Sequence, residues 1–286
     1  MEIWILLNPA LKFFIYIASF FASGTVIFYL HFQKFIETET KLYCQKLIYK
    51  FSAFGAIISI LLFLSVAGNL GGDFVSTIDI TMLSLAIQVK LGKSAIVSLI
   101  GFTVLLIFGA KNDFINSFMK VFAAGLILSS FVIVGHSTIN GFLTQVLIYI
   151  HLIGISYWIG SFLPLLNIGN MGNKVELYDV AMKFGKLAVA YILFLLVAGL
   201  FSSYILLRDL SLLFTSNYGN ILLMKMVFVI LLLGLGALNK YRLVPSIKDN
   251  FGDSKKKLTR SISIEIVFAL SILFLTSILT TSVTLP

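Results

Sequence analysis

Three histidines, one cysteine and seven methionines are the imidazole and sulfur groups of this 286-residue chain. Their positions decide which chemistry is open to it. His136, in VGHSTINGF, and His151, nine residues past Phe142, lie on successive apolar segments joined by a short connection. Two imidazoles on adjacent antiparallel helices converge when their faces agree, and neutral imidazole is a common ligand for copper, iron and zinc. The same pair would also suit haem b as axial ligands. Against haem, their depths differ by about five residues, or ~8 Å along helices, which is awkward for ligands on opposite haem faces.

Met224 and Met226 flank Lys225 and offer the thioether that Cu(I) favours. Two residues apart, they lie about 200° apart around a helix, so at most one of them faces a given site. We carry Met224 forward as a third ligand. Trp158 is a hydrogen-bond partner for a neighbouring histidine. Lys225 inside an apolar segment is costly. It either snorkels outward or faces inward, where it tunes the site or holds an anion. Met82, Asp73 and Asp79 are placed to capture a cation before it reaches the histidines. His31, beside Gln33 and Lys34, reads as an interfacial imidazole. Cys44 would accept a soft metal near the opposite face, and a single cysteine excludes an intramolecular disulfide and any CxxC redox or zinc site.

The elements carrying these residues follow from composition. Hydrophobic residues make up 59% of the chain and charged ones 12%, and the mean hydropathy is +1.04. These values exclude a water-soluble globule. Apolar runs of about 20 residues, each long enough to cross a ~30 Å hydrocarbon core, recur throughout. The class is all-α and integral to the membrane, with eight spans near 10–33, 47–70, 94–110, 118–138, 142–166, 184–207, 217–239 and 261–283. The opening MEIWILLNPALKFFIYIASFF lacks a basic n-region and reads as a retained first helix.

In a membrane protein the +9 net charge reports topology; it calls for no nucleic acid. The odd-numbered connections hold 16 of the Lys and Arg residues, against 4 in the ends and even-numbered connections. The positive-inside rule then puts both termini outside, with the basic stretch 240–260 as the main cytoplasmic loop and the lipid bilayer as the constant partner.

Self-comparison finds one register. Leu83, Ser84, Leu85, Gly92, Leu105, Leu106, Gly109, Ala110 and Asn112 recur 127 positions later as Leu210, Ser211, Leu212, Gly219, Leu232, Leu233, Gly236, Ala237 and Asn239. The single membrane domain, 1–286, then divides into four-helix halves of the same orientation, 1–138 and 139–286. Each half has an outer segment along the membrane surface, about 73–92 and 208–218, and a functional site is expected between the halves.

HExxH, P-loop and GxSxG motifs are absent, so the reading is non-enzymatic, and GLGALN (234–239) is better explained by close helix packing than by a phosphate. The stretches GHS (135–137), HLIGISYWIGSFLPLL (151–166), TSNYGNILLMKMVFVILLLGLGALNKYRLVP (215–245) and RSISIEIVFAL resemble the copper resistance protein D family. The resemblance implies an eight-helix protein of the cytoplasmic membrane that handles copper, usually by uptake, with an extracytoplasmic CopC-like copper-binding partner. It maps the family's two histidines onto His136 and His151 and its lysine onto Lys225. One departure is Ser161, which follows Gly160 where the family often has a second glycine.

Overall fold

A computed structural model describes residues 2–110, 113–134, 141–207 and 211–282. Among them every regular element is helical: α1 (Glu2–Phe32), α2 (Thr38–Gly71), a 3₁₀ turn (Val75–Thr77), α3 (Ile80–Gln88), α4 (Lys90–Phe108), α5 (Phe114–Ile133), α6 (Phe142–Met171), α7 (Lys174–Leu207), α8 (Leu212–Thr215), α9 (Asn217–Leu238), a π turn (Asn239–Leu243), α10 (Val244–Ser246) and α11 (Phe251–Thr281). Eight of these, α1, α2, α4, α5, α6, α7, α9 and α11, are long and apolar enough to cross a membrane. The expected eight spans are thus present. Several helices run well past them, with α2 and α7 reaching 34 residues each.

Most of the basic stretch 240–260, which connects the last two spans, is helical. The sequence supports this locally. Pro245 opens α10, where a missing N–H costs nothing. The Asn250 side chain caps α11 by accepting from Asp253 N, and Lys257 pairs with Asp253 one turn away at 2.6 Å. Charge continues the helix into water while ending its apolar span.

The first four spans close into a ring, α1 on α2, α2 on α4, α4 on α5 and α5 back on α1. In the last four, α6 packs on both α7 and α11, and α11 on α9, while α7 touches the far end of α9 through the π turn. The groups meet chiefly where α1 lies against α6 and α11. They differ in packing. Buried residues make up 17% and 11% of the α7 and α9 span windows, against 39–72% in the other six.

The 127-residue register has a structural counterpart. A Cβ on Gly92 would sit 1.8 Å from Ala86 O, and one on Gly219 would sit 2.5 Å from Leu213 O. Ala86 and Leu213 are themselves 127 apart. Each half therefore starts its third span with a glycine pressed against the short helix before it. A second register, invisible to self-comparison, relates α2 to α7 at an offset of 136, and residues related by it touch. Gly24 and Gly160 abut backbone to backbone, so a Cβ on either would lie 2.2–2.6 Å from the other's Cα. Asn173 donates to Glu37 at 2.6 Å, and Thr40 donates to Glu176 at 2.9 Å. Positions related by this offset thus lie side by side where the two groups meet.

Candidate functional site

His151 lies about 14 Å from the start of α6. Its ring turns toward α7, where Nδ1 is 2.8 Å from Leu195 O. A carbonyl oxygen only accepts, so Nδ1 carries the proton and, in the neutral ring, Nε2 keeps its lone pair. Among the described residues Nε2 has no hydrogen-bond partner. The space for the ring is made by Gly199, one turn beyond Leu195, where a Cβ would lie 2.9 Å from Cε1. A backbone carbonyl that fixes the tautomer and leaves the other nitrogen open is the usual arrangement behind a metal-binding histidine.

Lys225 sits at matching depth, about 12 Å into α9, within electrostatic range of the His151 imidazole. Its neighbours point away from the core: Met224 is 55% exposed and Met226 39%. The α6 face turned toward α5 carries Val146, Tyr149 and Ile150, which line a cleft with Ser129, Val132 and Ile133. His151 is on a different face. His136 lies outside the described residues, so the structure brings together His151 and Lys225 from the expected set, and Met224 stands apart from them.

Of the residues expected to capture a cation, Met82 lies in α3 and the two carboxylates are occupied by nearby donors. Asp73 Oδ1 accepts from Ser76 N at 2.8 Å and Ser76 Oγ at 2.6 Å. Asp79 Oδ1 accepts from Met82 N at 2.9 Å and starts α3. The Ser76 donors favour the ionised form and hold the exposed Asp73 carboxyl below the usual carboxylate range. At the opposite end, Cys44 is fully buried among apolar neighbours. His31 is exposed, with Nδ1 2.8 Å from Ile27 O and Nε2 3.3 Å from the Tyr191 hydroxyl.

Comparison with known families decides the kinship. Residues 1–145 match the model for the copper resistance protein D-like N-terminal domain, and residues 178–279 match copper resistance protein D. The chain belongs to the copper resistance protein D family. Its function accordingly lies in copper resistance or copper transport, in the setting of a multi-pass membrane protein. Searches of the curated proteins and of the solved structures found no match. The two family regions fall on the two helical groups, and His151 lies in the stretch between them.

Against that family background, one polar cluster escaped the sequence reading. Trp158 Nε1 donates to Glu265 Oε2 at 3.3 Å, and Asn239 Nδ2 donates to Glu265 Oε1. Trp158 lies seven residues beyond His151, about 10 Å along α6, and its N–H goes to the carboxylate. Glu265 was passed over because one acidic residue in RSISIEIVFAL resembles the charged start of a helix. Its helix in fact begins 14 residues earlier, at Phe251, so Glu265 is no helix start; it lies four residues past Ser261, at the beginning of the apolar part of α11, and is 3% exposed. Of the GLGALN glycines, Gly236 does pack closely, 3.2 Å from Trp158 Cζ2 by its would-be Cβ, while Gly234 faces open space.

Proposed function

We propose that this protein carries copper across the cytoplasmic membrane, inward, with both termini outside and with His151 as a ligand in the outer half of the bundle. The observation supporting this reading is the His151 tautomer: Nδ1–H is committed to Leu195 O, which leaves an Nε2 lone pair beside a helix face opened by Gly199. Copper is the cargo, and neutral imidazole suits it. His136, nearby in sequence on the outer side, is the proposed second ligand. Met224 would join only by turning in from its exposed position. Copper would reach the site directly past Met82, Asp73 and Asp79 or from a CopC-like partner. Without an ATPase motif, movement follows a gradient or a coupled ion.

The test is elemental analysis of the purified full-length protein for copper and iron, after growth with added copper and without chelator. Wild type and His31→Ala are expected to hold stoichiometric copper and no iron, and the combined His136→Ala and His151→Ala variant to hold neither. Stoichiometric iron would transfer the histidines to haem b. Undiminished copper in the double variant would remove them from the site.

A further inference from the structure

Glu265 faces a half-open cavity of about 360 Å³ between α6, α7, α11 and the last turns of α9. The wall is apolar apart from Glu265, Asn239, Lys240, Tyr241 and the edge of Trp158. Among the described residues no basic group comes within 4.0 Å of the carboxylate, so its two oxygens rest on neutral donors, Trp158 N–H and the Asn239 amide. Asn239 spends its donor on Glu265, and its own Oδ1 is buried without a partner. Asn239 is 9% exposed and opens the π turn, a helical irregularity that recurs at functional sites. An ionised carboxylate buried in this way without a counter-ion costs several kcal/mol.

We propose that Glu265 is a proton-binding site that couples proton movement to copper movement, with Asn239 as its switching partner. The donor set selects the ligand. All available atoms are hard oxygens, unsuited to Cu(I). Two of the three already accept hydrogen bonds, which leaves too few for a metal cation, whereas a proton needs one. Each charge state has a paired arrangement. The carboxylate accepts from Trp158 and from the Asn239 amide. When it takes a proton from water, its O–H becomes a donor, and a half-turn of the Asn239 amide presents the orphan Oδ1 to accept it. The proton returns to water on the other side when the first arrangement is restored. Because the cluster ties α6, α11 and the end of α9 together, its state sets how these helices hold one another.

Other charges nearby are few. Lys240 lies over the Tyr241 ring, 5.0 Å from its centroid, with its stem along Gly185 of α7. The cavity residues of α6, α7 and α10 carry no further ionisable group. On α9, Lys225 is 14 residues from Asn239, about 21 Å along the helix. On α1, Tyr16 meets α11 at Thr280, 15 residues from Glu265, and on α11 itself Arg260 is five residues earlier.

The inference rests on the proposed copper movement for its cargo but not for its proton, and two measurements separate them. Infrared difference spectra of the reconstituted full-length protein across pH are expected to show a buried carboxylic-acid band that is lost in Glu265→Gln and moved in Asn239→Leu. Glu265→Asp, which keeps the carboxyl, retains the band at a shifted position. A band unchanged in Glu265→Gln, or none in wild type, overturns the proton site. In proteoliposomes, an imposed pH gradient is expected to drive copper uptake by wild type and to lose that effect in Glu265→Gln, with bound copper unchanged. Uptake that follows a sodium gradient instead, or that stays pH-driven in Glu265→Gln, overturns the coupling. Wild type that moves no copper at all removes the cargo while the infrared result still judges Glu265.

Discussion

At the residue scale, the fate of one imidazole proton organises the contact between α6 and α7. The Leu195 carbonyl holds Nδ1–H, so the electrostatics around Nε2 decide how strongly a cation binds there. Lys225 is the nearby charge. Like charges about a Debye length apart, ~8 Å, repel by ~2 kcal/mol at an effective dielectric constant of about 20. Lys225→Met is therefore expected to tighten copper binding by roughly tenfold or more, read by competition with a chelator of known affinity. Unchanged affinity would mean that the ammonium has snorkelled away. His151 and Lys225 were legible in the sequence because a polar group within an apolar run is conspicuous. The partners were not, since Leu195 acts through its backbone and Gly199 through the side chain it lacks. Glu265 shows the converse: its importance depends on where its helix starts, which charge patterning obscured.

At the element scale, hydropathy foretold all eight spans, because a helix crossing hydrocarbon must satisfy its backbone internally and display apolar side chains for about 20 residues. It did not foretell where helices continue into water, as α11 does through its capped and ion-paired first turns. The connection before α3 is held by capping carboxylates, which makes it sensitive to acid. The Asp73 carboxyl is depressed by its Ser76 donors, so the folded form binds its proton less readily than the unfolded chain, where the value is about 3.9. The contribution to local order is complete above that pH and is lost as pH falls through the lower folded-state value. Hydrogen exchange at the Ser76 amide is expected to accelerate over that acid window in wild type and to be fast throughout in Asp73→Asn. Protection that persists in the variant would show that the turn needs no charge.

At the scale of the molecule, two sequence registers relate the two helical groups. Self-comparison detected the 127 offset through leucines and glycines around the third spans. The 136 offset between the first pairs of helices stayed hidden because the related pairs are mostly unlike, as with Glu37 and Asn173 or Thr40 and Glu176; the geometry reveals it because these residues touch. The positions related by these offsets to Leu195 and Lys225 are Ser59 and Ser98, which bond each other at 2.9 Å, and the one related to Trp158 is Ala22. The first group has a buried lysine of its own, Lys120 at 1% exposure. The two groups join at the Gly24–Gly160 contact, where neither backbone has room to yield. Gly160→Val is expected to cost at least the ~1–3 kcal/mol of ordinary overpacking and to lower the unfolding temperature of the detergent-solubilised protein, whereas Gly234→Ala, facing open space, leaves it unchanged.

The nine-residue difference between the two offsets has a definite place in the chain. The change from 136 to 127 falls between the second and third spans, in the stretch that holds the 3₁₀ turn and α3 in one half and α8 in the other. The segments before α4 and α9 therefore differ in length without disturbing the single register that runs from Gly24 and Gly160 to Thr40 and Glu176.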